Sequence, residues 1–196
     1  MRLPSLPPSA PRFGNRFTRV LGRTVLAATG WRVEGDIPDL RHCVAILAPH
    51  TSNYDLPLAL ATMFAIGLRV NWLGKHTIFR EPLATVLRWF GGIPVNRRAA
   101  TATVDQAVAV IQGAPRMFLG LAPEGTRARV PRWKTGFHRI ALGAGVPIVP
   151  VAFDYPRRTV VIFPPFHPTP DAEADVAALQ QLYRSDMACH PHLYGQ

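Results

Sequence analysis

Val44-Ala45-Ile46-Leu47-Ala48-Pro49-His50-Thr51-Ser52-Asn53-Tyr54-Asp55 is an apolar run that stops at a proline and passes through a polar turn into the uncharged stretch Leu56–Leu68. An unbroken apolar run of this length, bounded by turn residues, is the pattern of a strand buried on both faces, as parallel sheets bury theirs. The spacing predicts strands over Cys43–Ala48, Val70–Leu73, Ile93–Val95, Met117–Leu121, Ile148–Phe153 and Thr159–Phe163. Between them it predicts helices over Tyr54–Ile66, Leu83–Trp89, Thr101–Gln112, Gly136–Ala144 and Ala172–Met187, with Gly67, Gly91, Gly113 and Gly145 near helix ends, where a left-handed cap is needed. Strand and helix alternate, so the expected fold class is α/β: a single domain with a mixed, largely parallel central sheet flanked by helices.

Working outward, 196 residues allow about one domain, and 48% hydrophobic with 17% charged residues excludes a wholly disordered chain. Lys plus Arg number 22 against 12 acids, a formal charge of +10, which selects for anionic partners. Lys75 and Lys134 are the only lysines, so nearly all of that charge sits on guanidinium groups suited to gripping phosphate. Zinc-ligand spacing and ribonucleoprotein aromatic motifs are missing, so no nucleic acid is expected as partner. Cys43 and Cys189 supply neither a disulfide framework nor a metal site. Leu56–Leu68 is too short to span a bilayer, and Arg16, Arg19 and Arg23 break up any signal-peptide core. The expectation is a chain without a transmembrane helix that stays on the cytoplasmic side.

Residues 1–12, with Pro4, Pro7, Pro8 and Pro11, read as a disordered tail. Residues 13–32 read as a basic amphipathic helix: Phe13, Phe17, Val20, Leu21, Thr24, Val25 and Ala28 follow helical spacing, and Arg12, Arg16, Arg19 and Arg23 form a separate stripe. Such a helix either lies in an anionic membrane surface or packs on the domain.

Four segments are candidates for the chemistry. His50 falls just past a strand end, where α/β folds place their sites. On a continuous helix His50 and Asp55 would stand about 140° apart, so the turn at Ser52-Asn53 must come first for Asp55 to orient one ring nitrogen and leave the other as a general base. Ser52-Asn53-Tyr54-Asp55 fits a capping box equally well. In Leu119-Gly120-Leu121-Ala122-Pro123-Glu124-Gly125-Thr126-Arg127, a second strand ends in a turn built to meet an anion. Gly125 permits close approach, Thr126 offers a hydroxyl, Arg127 offers a charged fork, and Glu124 either holds that fork or binds a substrate hydroxyl. In Gly91-Gly92-Ile93-Pro94-Val95-Asn96-Arg97-Arg98, adjacent arginines follow a third strand. Gly145-Val146-Pro147-Ile148-Val149-Pro150-Val151 is either a core strand or the lining of an acyl pocket.

Taken in their order along the chain, the four segments resemble the signature blocks of the 1-acylglycerol-3-phosphate acyltransferase (lysophospholipid acyltransferase) family over about Cys43 to Phe166, with residues 33–196 as the acyltransferase domain. The resemblance implies transfer of a fatty acyl group from acyl-CoA or acyl-carrier protein to the hydroxyl of a lysophospholipid, with no cofactor and no metal. His50 would be the general base and Asp55 its orienting acid. Glu124, Gly125, Thr126 and Arg127 match the acceptor-binding block, Lys75 resembles the lysine that meets the acceptor phosphate, and Arg97 lies in the second block as a further substrate-binding candidate. The preferred acceptor is 1-acylglycerol-3-phosphate, giving phosphatidate, at the cytoplasmic face of the inner membrane with peripheral attachment. The alternatives are another lysolipid acceptor, such as an acylated amino-acid lipid, or a non-catalytic binder of anionic lipid. The family usually carries a large aromatic where this chain has Ala122, and the variable position inside the first block is Tyr54 here.

Overall fold

The computed structural model describes residues 3–95 and 100–195. Among them the chain runs through helix α1 (Arg16–Ala28), strands β1 (Arg32–Glu34) and β2 (His42–Leu47), helix α2 (Asp55–Ile66), β3 (Asn71–Lys75), α3 (Leu83–Trp89), β4 (Gly92–Val95), α4 (Ala100–Gly113), β5 (Met117–Leu121), α5 (Gly136–Ala144), β6 (Ile148–Asp154), β7 (Thr159–Ile162) and α6 (Ala172–Gln180). The strands form one sheet in the order β1-β7-β6-β2-β5-β3-β4. Every neighbouring pair is parallel except β6 with β7, so the sheet is mixed and largely parallel, with helices on both faces.

Side chains on a strand alternate between faces, and the central strands use both. Val44, Ile46, Leu119 and Ile148 point into a core shared with α4, α5 and α6, while Cys43, Phe118 and Val149 point into a second core shared with α2 and the N-terminal segment. Full burial of a side chain of this size contributes about 1.5–3 kcal/mol, so the three central strands are held from both sides. The left-handed glycines Gly67 and Gly145 end α2 and α5, each returning its N–H to the last helical turn.

Helix α1 takes the second of the two courses open to the amphipathic segment, packing on the domain. It packs on α2 through a narrow stripe of Thr18, Gly22 and Leu26. At Gly22 a Cβ would stand 2.4 Å from the Ala65 nitrogen and 2.6 Å from the Ala61 oxygen, so the two backbones touch there. The large apolar residues lie on the other side of the helix: Phe17 is 73% exposed and Val20 62%, with Leu21 and Val25 also open to solvent. The helix is shorter than residues 13–32. Asn15 caps it by accepting from the Thr18 N–H at 3.1 Å, and Phe13 lies outside it, buried with its ring 5.5 Å from Phe64 and 5.2 Å from Trp89.

Three expectations need correction. Residues 3–12 lie against the domain instead of forming a disordered tail: Ala10 is fully buried, Arg116 donates to the Pro8 carbonyl at 2.6 Å, and the Ser9 N–H donates to Asp39 at 2.9 Å. Proline-rich backbone has few N–H groups to satisfy, and here Leu3 and Leu6 add apolar contact to the second core. The last helix ends at Gln180 rather than Met187, because Tyr183 turns inward to pack edge-on against Trp133 at 5.4 Å and Phe163 at 5.8 Å. The edge strand β1 was not anticipated, since three residues carry too little periodicity to register. No helix among the described residues is long and apolar enough to cross a membrane.

Strands β2 and β5 are neighbours, yet the chain leaves them in opposite directions. Beyond β2 it crosses through α2, on one face, to β3; beyond β5 it crosses through α5, on the other face, to β6. The loops after β2 and β5 therefore diverge, and the crevice between them is where open α/β sheets place ligands.

Candidate active site

His50 and Glu124 sit in those two loops. Past the end of β2, the His50 backbone N–H donates to both oxygens of Glu124, at 2.9 and 3.2 Å. The turn that follows brings the chain back on itself. The Tyr54 N–H donates to the Ser52 hydroxyl at 3.1 Å, and the Ser52 N–H donates to Asp55 Oδ2 at 3.1 Å. The same Asp55 oxygen lies 2.8 Å from His50 Nδ1. Of the two sequence readings of Ser52–Asp55, the turn builds the orienting acid: the carboxylate accepts a backbone N–H and holds the imidazole, while the Ser52 hydroxyl serves Tyr54 instead of completing a capping box. With Nδ1 bonded to a carboxylate, the proton of the neutral ring belongs on Nδ1 and the lone pair on Nε2. The His50 side chain is 22% exposed and that of Asp55 only 1%, so the acid is screened from water while the ring reaches the surface.

Asp55 Oδ1 accepts a hydrogen bond from the Tyr155 hydroxyl at 2.5 Å. Tyr155 follows directly on β6, the other neighbour of β2, so three adjacent parallel strands deliver the cluster from their C-terminal ends. Burial first, and then the adjacent Asp55 charge, push the Tyr155 hydroxyl far above the ordinary tyrosine range, so it remains a donor. Tyr155 was missed in the sequence because it lies 100 residues from its partner and belongs to no local pattern. The C-terminal segment closes one side: the His190 N–H donates to the Thr51 hydroxyl at 3.2 Å and the Tyr155 N–H to the Met187 carbonyl at 3.0 Å.

Of the two partners expected of Glu124, the arginine of its own turn is not the one it meets. Its carboxylate accepts the His50 N–H and makes no pair with Arg127, because the loops after β2 and β5 face each other across one strand spacing. Only 4% exposed, Glu124 has its carboxyl pushed by burial up to about 7, against the lowering effect of the His50 N–H. Gly125 is left-handed, with φ +68, and a Cβ there would stand 2.8 Å from Lys134 Nζ, so the missing side chain makes room for an ammonium. Lys134 is a second residue the sequence reading left without a role; its signal was being one of only two lysines in an arginine-rich chain. The Thr126 hydroxyl accepts from the Ala128 N–H at 3.2 Å and shapes the turn. Arg127 is exposed, and among the described residues neither it nor Lys134 forms an ion pair. Lys75 closes β3 at the same edge of the sheet. Arg97 lies outside the described residues.

A family model described as Acyltransferase matches residues 31–154, which is more than half of the chain and includes β2, β5, β6 and both loops of the crevice. The 1-acyl-sn-glycerol-3-phosphate acyltransferase of Salmonella typhimurium is 33% identical over 111 residues, covering 54% of this chain and 44% of that protein. The Haemophilus influenzae protein of the same name is 30% identical over 132 residues, covering 62% of this chain and 53% of its own length. The chain therefore spans about half the length of these curated relatives. The crystal structure of the 1-acyl-sn-glycerophosphate acyltransferase of Thermotoga maritima superposes with a TM-score of 0.58 at 20% identity, covering 85% of this chain and 78% of that one, a likeness of fold. With the match spanning both loops that build the crevice, the chain belongs to the acyltransferase family.

Proposed function

We propose that the protein transfers a fatty acyl group from a thioester, acyl-CoA or acyl-carrier protein, to the free hydroxyl of 1-acylglycerol-3-phosphate, giving phosphatidate. The observation that carries this reading is the 2.8 Å contact between His50 Nδ1 and Asp55, which leaves Nε2 as the basic atom of a partly exposed ring. Nε2 takes the proton of the acceptor hydroxyl as its oxygen attacks the thioester carbonyl carbon. Asp55 stabilises the imidazolium that results. The carbon–sulfur bond then breaks, and the proton passes from Nε2 to the departing sulfur, so the histidine ends as it began. General-base assistance of this kind contributes about 10²–10⁴-fold.

Arg127 and Thr126, with Lys75 and Arg97 by their place in the sequence, receive the acceptor phosphate. Glu124 acts on His50 through its backbone, holding the histidine in place as the loop is loaded. The exposed apolar residues of α1, with Leu83, Val86 and Trp89 of α3, supply a surface that enters the acyl boundary of an anionic bilayer, with Arg16 and Arg23 at the phosphates. On this reading the protein attaches peripherally, at the cytoplasmic face of the inner membrane. The test is to incubate the protein with lysophosphatidate in anionic vesicles and either donor, and to resolve the lipid products. Phosphatidate is expected, with loss of about 10²–10⁴-fold in His50→Ala. No product from either donor, or near-normal turnover in His50→Ala, overturns the reading.

A further inference from the structure

Asp55 uses both of its oxygens, and the hydroxyl that takes the second is fixed independently of that bond. The Tyr155 backbone is tied to the Met187 carbonyl at 3.0 Å, and its ring stands edge-on to Trp31 with centroids 5.1 Å apart and planes at 90°. The hydroxyl thus arrives on a braced ring, 2.5 Å from Asp55 Oδ1, in the short range of hydrogen bonds to an ionised acceptor. The titratable groups facing this cluster from the elements packed on it are Glu124 from the loop after β5 and Cys189 and His190 from the C-terminal segment. Glu124 is committed to the His50 N–H, and Cys189 reaches Tyr155 only through space. Among the described residues, the Tyr155 hydroxyl is the side-chain donor to Oδ1.

A carboxylate bonded at one oxygen alone is free to turn about its last torsion and concentrates its charge on the imidazole. A donor on the other oxygen fixes the plane and draws part of that charge away. We propose that Tyr155 is a positioning residue for acyl transfer: its hydroxyl locks the Asp55 carboxylate so that Oδ2 stays on His50 Nδ1–H, and moderates the acid so that the imidazolium releases its proton to the leaving sulfur. The inference rests on the acyltransferase reading for its kinetic consequence, but the geometric part stands apart from it.

Tyr155→Phe keeps the ring and its packing and removes the hydroxyl, which is the donor to Asp55 and also the partner of the Ser52 side chain. The expected result is a kcat about tenfold lower, KM for both substrates within about twofold, and an acid limb of the kcat/KM profile moved up by about half to one pH unit, because a less satisfied carboxylate holds the imidazolium proton more tightly. The downfield Nδ1–H proton resonance of His50, identified by its absence in His50→Ala, is expected to broaden or shift in Tyr155→Phe without any substrate present. Installing 3-fluorotyrosine at position 155, a stronger donor of nearly the same shape, moves the acid limb the opposite way and serves if the phenylalanine variant fails to fold. Unchanged kcat, acid limb and resonance in the variant overturn the inference. If the unaltered protein transfers no acyl group, the proposed function fails, and the proton resonance alone decides whether Tyr155 holds the pair.

Discussion

Replacing Glu124 by Gln tests the most unusual charge in the crevice. The carboxyl is raised from 4.5 to about 7 by burial, so the folded protein holds this proton over a pH range in which the unfolded chain releases it. A raised carboxylate stabilises the fold while protonated, and that contribution is lost as pH rises from the unfolded value through the folded one. The shift, at about 1.36 kcal/mol for each unit, corresponds to about 3 kcal/mol in full, of which about 2.5 kcal/mol falls between about pH 5 and about pH 8. Glu124→Gln keeps the size and an oxygen to accept the His50 N–H, but has nothing to ionise. Urea unfolding of both proteins across that range is the assay: the unaltered protein loses stability relative to Glu124→Gln as pH rises, by about that amount. Stability differences that stay constant with pH, or that grow in favour of the unaltered protein toward alkaline pH, refute the reasoning and place a compensating cation beside the carboxylate.

The contact between α1 and α2 predicts that Gly22→Val destabilises the fold by about 3 kcal/mol, readable as a lower urea midpoint, because its Cβ meets backbone and not a movable side chain. Phe17→Ser with Val20→Ser leaves stability unchanged, since both side chains face solvent, but weakens sedimentation with anionic vesicles about tenfold or more; equal binding shows that another surface meets lipid. Arg127→Ala raises KM for a phosphate-bearing acceptor about 10- to 100-fold, the effect of losing a charged hydrogen bond, and leaves KM for an acceptor lacking the phosphate within about twofold of its original value. A uniform loss for both acceptors removes Arg127 from phosphate recognition.

Much of the scaffold was legible where local signals agreed. For α3, β5 and α5 the expected and observed limits coincide, because apolar runs there are closed by glycine or by breaks in period. The meeting of His50 with Asp55 was one of two readings open in the sequence, because the turn needed between them lies within five positions and also fits a capping box. What escaped depends on the sheet. Nothing near Glu124 reveals that its partner is a backbone N–H on the neighbouring strand's loop, so the local turn offered only its own arginine or a substrate hydroxyl. Tyr155 joins the cluster only because β6 lies beside β2, an order fixed by crossovers and not by spacing. The end of α6 was misplaced because Tyr183 finds an aromatic slot in the core, a tertiary gain that outweighs continued helical period.

The backbone contact at Gly22 has a mechanical outcome. Helix α2 starts at Asp55 and is gripped near its far end, at Ala61 and Ala65, by α1. At about 1.5 Å per residue, less than three turns of stiff helix separate the carboxylate from the clamp. Any force that tilts or lifts the first helix is therefore delivered to the carboxylate that holds His50 as a lever delivers it, without passing through a flexible joint.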